Sequence, residues 1–522
     1  MLNTTNPNNY EYTTKHLEIY ILGGIKLNHL EALRVTLGIN KVKSETKLRH
    51  NVDLYNDNQV EKLVRKVAER IEIGTSVVRN TLQELTNELE QYRLSQLDID
   101  ENEIPIKELS STEEKNTIKF LKSTDLLTKT NELIEQSGVI GEETNRLLMY
   151  LIFTSRKSYN PLHCISLGTS GSGKTHLQSK VAELIPDHEK VEITVLSENA
   201  FYYFNRTELR NKLILIEDLD GAESVLYPLR ELQSKRRITK TVVHKDRKGT
   251  TKTIHLTVEG PVSVAGCTTQ ESIYEDNSNR SFLLYIDESK EQDQKIMYYQ
   301  RLISAGKVNI DEELKAKNML QNVQMLLQPV KIINPYAEFL ELPQSVFKPR
   351  RTNTHYLQFI EAITFYKQYQ REKQYDQNTG EEYIETTTQD IEEANEIIKD
   401  VLLHKSDTIT GAARNHLEKL KTYLKENNQT TFTNAEIRKQ LHLKESTLRG
   451  YHKQLQEEGY IKRMRHKKTK SYCFEITDMK EYDWLKSSID NALKSCILQI
   501  QLATPQPTRK SPSCESKSKK VS

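Results

Sequence analysis

The stretch Gly168-Thr169-Ser170-Gly171-Ser172-Gly173-Lys174-Thr175 narrows what this chain can fold into more than any other. It fits the spacing GxxxxGK[ST], in which glycines let the backbone wrap a polyphosphate so that its N–H groups face the anion. Leu162 to Leu167 before it are strand-like. His176 to Leu184 after it carry Leu177, Val181 and Leu184 on one helical face. Strand, loop and helix N-terminus together make an anion site. Lys174 is expected to reach the β- and γ-phosphates, and the Thr175 hydroxyl to ligate Mg²⁺. Glycine is scarce here, 18 residues in 522, so its recurrence at this spacing is not compositional noise. The ligands expected are ATP and Mg²⁺.

Further on, Leu213-Ile-Leu-Ile-Glu217-Asp218-Leu-Asp220 joins four apolar β-formers to a run of acids. That is how a buried strand delivers carboxylates to its C-terminal end. One carboxylate holds the metal and the other orients the attacking water. Which of Glu217 and Asp218 does which stays open at this point. Between Pro161 and about Ser289, apolar strands alternate with helical stretches, the pattern of a parallel α/β sheet. Within it, Arg236–His244 and Thr251–Val258 flank the basic tip Lys245-Asp-Arg247-Lys248-Gly, which reads as a β-hairpin. Pro261–Thr269 is a further buried strand ending in Cys267 and Thr268. Arg280 precedes the apolar run Phe282–Ile286, and Arg350 and Arg351 open a helical stretch.

This order of motifs resembles the AAA+ ATPases, specifically the minichromosome-maintenance (MCM) helicase group. The resemblance implies that Glu217-Asp218 stand where the family has Asp-Glu. It gives Thr268, or Cys267, the sensor-1 place, Arg280 the arginine finger, and Arg351, or Arg350, sensor 2. Over about residues 17–375 the chain also resembles the ATPase region of primase-associated replication proteins of bacterial mobile elements, through Leu229-Arg-Glu-Leu-Gln-Ser and Asn277-Ser-Asn-Arg-Ser-Phe. No cysteine cluster for an upstream zinc ribbon is evident, so primer synthesis is not inferred.

Near the C-terminus, Thr433-Asn-Ala-Glu starts a capped helix, and Glu445–Leu455 follows after a short break. Tyr460–Met464 and Ser471–Ile476 make two strands around a basic turn. This resembles a winged helix-turn-helix in which Ser446, Thr447, Arg449 and Lys453 face a groove while Arg463 and Arg465 on the wing meet phosphates. Charge agrees: Gly411–Ser522 holds 23 Lys and Arg against 12 Asp and Glu, leaving 52 against 61 elsewhere.

The fold class expected is α/β, an AAA+ P-loop core with parallel sheet and helical lid. The expected divisions are a mainly helical N-terminal region with a linker over 1–118, the core over 119–345 and the lid over 346–408. A winged-helix domain over 412–480 and a basic, partly disordered tail over 481–522 complete them. The linker itself is read over Asp98–Lys115, around Pro105. Hydrophobic residues make up 36% of the chain, and no run nears a membrane span. No signal peptide is visible, and the five cysteines lie far apart, so a cytoplasmic protein without a disulfide framework is expected. The function expected is an ATP-dependent DNA helicase or translocase in replication of a mobile element. It would form a homo-oligomeric ring such as a hexamer, with single-stranded DNA gripped in the pore by Lys245, Arg247 and Lys248, duplex DNA at the winged helix, and a primase as a candidate partner. The alternatives are an AAA+ initiator or helicase loader, and an ATP-sensing DNA-binding regulator.

Overall fold

The structure, a computed structural model, describes residues 2–4, 6, 9–26, 32–42, 48–100, 107–194, 199–220, 226–245, 251–269, 280–342, 349–377, 379–465 and 472–503. The chain divides into two units, Met1–Ile106 and Lys107–Ser522. In the first, β1 (Leu2–Asn3), β2 (Asn9–Thr13), β3 (Leu17–Leu22), β4 (Arg34–Lys41) and β5 (Leu48–Asp53) form an antiparallel meander in chain order. Leu17, Ile19 and Ile21 of β3 are buried, so alternation makes one sheet face dry. Helices α1 (Asp57–Ile71) and α2 (Thr75–Asp100) share that core through Leu63, Val64, Val67, Leu82, Leu85 and Leu89. Asn56 starts α1 by accepting the Gln59 N–H at 3.1 Å.

The expectation of a mainly helical region before residue 118 is corrected by this sheet. Strands such as Asn9-Tyr-Glu-Tyr-Thr are short and carry polar residues on one face, so their apolar alternation is weak. The expected linker also overlaps helices at both ends. α2 runs to Asp100, and α3 (Ser111–Leu121) begins at a Ser110/Glu113 capping box.

The second unit is built around a parallel sheet. α4 (Leu126–Gln136) and α5 (Glu143–Thr154) precede it, with Leu147–Phe153 of α5 buried throughout, as the apolar run demands. The strands are β6 (Cys164–Leu167), β7 (Lys190–Ile193), β8 (Lys212–Ile216), β11 (Val262–Thr268) and β12 (Phe282–Tyr285), in the order β12-β6-β11-β8-β7. All pair in parallel. α6 (Lys174–Ala182) follows β6, and α7 (Leu226–Lys235) leads into a separate antiparallel ribbon, β9 (Arg237–Lys245) with β10 (Thr251–Glu259). Register sets Leu167 beside Thr268 and Ile216 beside Gly266, so the nucleotide loop, the end of β11 and the acidic segment share the sheet's carboxyl edge. A Cβ on Gly266 would stand 2.8 Å from the Leu219 side chain, so only glycine lets that acidic segment lie against β11.

Beyond the sheet come α8 (Lys290–Ser304), α9 (Ile310–Leu326), β13 (Lys331–Ile333), α10 (Pro349–Tyr366), β14 (Gln374–Tyr375), β15 (Glu382–Glu385) and α11 (Thr388–Ser406). The lid expected as helical thus carries two strands, and β15 pairs in parallel with β13 across the expected 345/346 boundary. Next are α12 (Gly411–Glu426), β16 (Thr431–Phe432), α13 (Asn434–Leu441), α14 (Glu445–Glu457), β17 (Ile461–Arg465) and β18 (Tyr472–Ile476), with the strands ordered β16-β18-β17. Thr433 caps α13 in a box with Glu436. Residues 481–503 are not a tail but a helix, α15 (Glu481–Ala503). Its Ile489, Leu493, Cys496 and Ile500 recur at helical spacing and are buried in the core that holds α11. The remainder of the expected tail, from residue 504, lies outside the described residues.

Inside the C-terminal module His416 and His452 face each other, Nε2 to Nε2 at 3.1 Å, and His452 Nδ1 lies 2.8 Å from Asn434 Oδ1. One ring must donate and the other accept, so the pair excludes protonation of both rings together. Burial pushes His416 down to about 3, with the charges of His452 and Lys419 adding, and burial pushes His452 down to about 4. Unfolded, each titrates near ~6.5. The unfolded chain therefore binds the extra protons first: stability is full above about pH 6.5 and drains away as pH falls towards 4. Thermal melts should show a midpoint several degrees lower at about pH 5 than at about pH 7.5. The fall should shrink in His416→Leu/His452→Phe; an equal fall in that variant contradicts the assignment.

Candidate nucleotide site

β6 carries the chain out of the sheet at Leu167, and the loop turns back into α6 through Gly171 and Gly173, whose φ values are +84° and +94°. Neither would meet a clash from a Cβ; the backbone conformation alone selects glycine there. Gly173 caps α6 with no side-chain hydrogen bond, which leaves the first-turn N–H groups to an anion. Ser172 Oγ is buried without a hydrogen-bond partner among the described residues. Lys174 is 8% exposed, and its ammonium donates to the carbonyls of Gly168 at 2.9 Å and Thr169 at 2.7 Å. A cradle of free donors, an orphaned hydroxyl and a held cation fit a polyphosphate. Glu288, which follows β12, accepts from the Thr169 N–H at 2.6 Å and hydroxyl at 2.8 Å. Glu288 was not legible in the sequence as a neighbour of this loop, because β12 reaches it only through strand pairing.

Glu217 and Asp218 directly follow β8 as exposed carboxylates, with no cation paired to either among the described residues. Asp218 Oδ1 accepts the Asp220 N–H at 2.8 Å. Asp220 turns to β11 instead, accepting from Thr268 Oγ1 at 2.5 Å and from Thr269 Oγ1 at 2.8 Å and N at 3.2 Å. Burial works to raise its pKa, but these hydrogen bonds and the Lys174 charge outweigh it and hold the carboxyl below its usual range. Thr268, the residue expected at sensor 1, is thus anchored to the acidic segment. Cys267 beside it is buried, and burial pushes its thiol up to about 11 against a Thr175 hydrogen bond and the Lys174 charge, with Asp218 adding to the rise. Thr175 and the charge of Asp218 both act on this thiol, and a hydroxyl with carboxylates is a donor set that suits Mg²⁺ completed by phosphate oxygens.

The arginines lie elsewhere. Arg280 stands just before β12, whose first residue pairs with Cys164 at the start of β6, so Arg280 is at the sheet's amino edge, opposite the nucleotide loop. Its Nε donates to Ser234 Oγ at 3.0 Å. Arg351, in the first turn of α10, joins it in lining a 330 Å³ cavity, and Arg350 does not. The structure therefore does not bring Arg351 to Gly168–Thr175 of the same chain. Arg236 completes the cavity; it was not singled out from the sequence, where only the doublet Arg236-Arg237 marked it. Its guanidinium donates to Asn160 Oδ1 at 2.6 Å and lies 4.1 Å over the Tyr159 ring, with its own φ at +55°. Among the described residues, those that line the cavity include no carboxylate. Burial pushes His163 down to about 3 and His355 well below its ordinary value, so neither adds charge near neutral pH. Lys405, on the far side of His355 with Nζ 2.6 Å from its Nδ1, is pushed by burial down to about 7.

On the C-terminal module, Arg449 is paired with Glu445 at 2.5 Å and Lys453 with Glu457 at 3.8 Å, so part of the charge expected on α14 is neutralised. Arg463 stacks 3.6 Å from the Tyr472 ring centre, and Arg465 is exposed at the end of β17. Lys245 ends β9, but its side chain, with Arg247 and Lys248, lies outside the described residues.

Residues 108–326 match the family model described as the MTBMA_p00010 P-loop domain. This segment is a P-loop domain. A curated relative, "Uncharacterized protein MTBMA_p00010" of Methanothermobacter marburgensis, is 22% identical over 288 residues, 53% of this chain and 35% of that protein. The chain thus spans about a third of that relative's length. Among solved structures, a full-length MCM homolog from Methanopyrus kandleri is similar at 13% identity and a TM-score of 0.37, over 78% of this chain and 75% of that one. Drosophila ORC bound to DNA is similar at 12% identity and a TM-score of 0.21, over 74% and 94%. At such scores neither likeness bears on function. No helix among the described residues is long and apolar enough to cross a membrane.

Proposed function

We propose that this chain is an AAA+ ATPase of the MCM-like kind that completes its active sites between subunits and couples ATP hydrolysis to work on DNA. One observation carries this: the P-loop and the arginine cavity sit on opposite edges of one parallel sheet. A single chain holds both halves and cannot join them. In a ring each P-loop would meet a neighbour's Arg280 and Arg351, so the developing charge on the γ-phosphate is met from across the interface. Lys174 binds the β- and γ-phosphates, and bound Mg²⁺ would neutralise phosphate charge from the side of Thr175 and Asp218. In this reading Asp218 serves the metal and Glu217 orients the attacking water. Glu217→Gln should then keep Mg-ATP binding while losing turnover, and Asp218→Asn should lose Mg²⁺-dependent binding; the reverse result in equilibrium binding swaps the roles.

The module over 412–480 is read as a winged helix-turn-helix, with α14 towards the duplex groove and Arg463 and Arg465 on phosphates. Replacing both arginines by Gln should weaken duplex binding and flatten its salt dependence by a slope of about 2, while basal ATPase survives. An unchanged slope excludes the wing as a phosphate contact. The sequence likeness to primase-associated proteins points to replication of a mobile element, with a primase as partner. Strand displacement on a forked duplex with ATP tests the helicase reading. Robust ATPase without displacement would favour a loader or initiator, and the loss of both with nucleotide binding intact would favour a regulator.

A further inference from the structure

A second cavity, 530 Å³ in volume, opens at the foot of the β9–β10 ribbon, between the 3-10 turn Ala200–Tyr203, α7 and the start of β9. Two phenol rings, Tyr202 and Tyr227, line it; Tyr227 is 59% exposed, and the neighbouring Tyr203 is 70% exposed. Aromatic rings clustered in solvent mark a surface that something else covers. Cations stand beside them. Arg237 lines the cavity, and Lys240 places Nζ 5.4 Å from the Tyr202 ring centre while donating to Asn199 Oδ1 at 2.5 Å. The cavity's carboxylates are already engaged: Glu231 pairs with Lys235 at 2.6 Å, and Glu259 receives Arg206 at 2.7 Å together with Arg210. Arg237 and Lys240 have no carboxylate partner among the described residues.

The exposed Tyr227 ring and the half-buried Tyr202 ring, beside cations without a carboxylate partner among the described residues, match the two needs of an unpaired strand, stacking for its bases and charge for its phosphates. A duplex has no free base face to offer. We propose that this cavity is a stacking site for an unpaired nucleobase of a single-stranded nucleic acid, with the flanking phosphates meeting Arg237 and Lys240. The site needs neither hydrolysis nor subunit assembly, so it goes beyond the ATPase reading and stands or falls apart from it.

The test uses the full chain without nucleotide and dye-labelled single-stranded DNA and RNA oligonucleotides, read by anisotropy across a salt series. Tyr202→Ala/Tyr227→Ala should weaken single-strand binding roughly tenfold or more with its salt slope unchanged, because rings and not phosphate contacts are lost. Tyr202→Phe/Tyr227→Phe keeps the rings and should bind as the parent does. Arg237→Gln/Lys240→Gln should reduce the salt slope by about 1.4, the value for two contacts on a single strand. Duplex affinity should not move in the tyrosine variants. A loss confined to DNA or to RNA assigns the site to that strand, and an equal loss makes it indifferent to the sugar. Single-strand affinity unchanged in the alanine pair, or lost equally in the phenylalanine pair, overturns the proposal. So does an alanine pair that alters only the sedimentation of the protein, which would make this face a subunit contact.

Discussion

Lys174→Ala is expected to take ATP turnover down at least ~100-fold, to background, without unfolding the protein. The ammonium is the one cation held inside the loop, and its two hydrogen bonds are to the carbonyls of Gly168 and Thr169. Removing it leaves Gly171 and Gly173 in their positive-φ conformations and leaves the hydrophobic face of α6, Leu177 and Val181, in the core. Circular dichroism and the melting point should therefore stay close to those of the parent. Turnover at the parental rate would remove the nucleotide site from Gly168–Thr175 altogether.

Arg280→Ala is the second large expectation: turnover should fall by a factor on the order of 10³ or more, the scale of a missing arginine finger. The variant should still bind ATP, because Arg280 is at the edge of the sheet opposite its own P-loop. Arg351→Ala should behave in the same way, since both guanidinium groups line one cavity. Parental turnover in the steady-state assay, or a loss of ATP binding in the isolated chain, would contradict the placement. The same geometry predicts that specific activity in the parent rises steeply with protein concentration.

The nucleotide loop was legible from the sequence because its chemistry is local: glycines, lysine and threonine at fixed spacing within one turn of chain. The acidic strand was legible for the same reason. What could not be read was anything set by pairing between distant strands. Asp220 is tied to Thr268 and Thr269 by the β8–β11 register, and Glu288 reaches Thr169 only because β12 lies beside β6. The arginine cavity gathers residues from α7, the segment before β12 and α10, and no local pattern joins Arg236, Arg280 and Arg351. Polar faces hid most of the N-terminal meander. α15 was missed because a basic, Ser- and Pro-rich end coloured the reading of the apolar repeat Ile489, Leu493, Cys496 and Ile500 that precedes it.

The central claim is that each active site takes its P-loop from one chain and its arginines from another. It is tested most directly by mixing Lys174→Ala with Arg280→Ala, each inactive alone, and measuring ATP turnover of the mixture. In a mixed assembly some interfaces pair an intact Lys174 with an intact Arg280, so partial activity should return. Mixed assemblies verified by co-purification of two tags that nonetheless show no turnover would contradict the account.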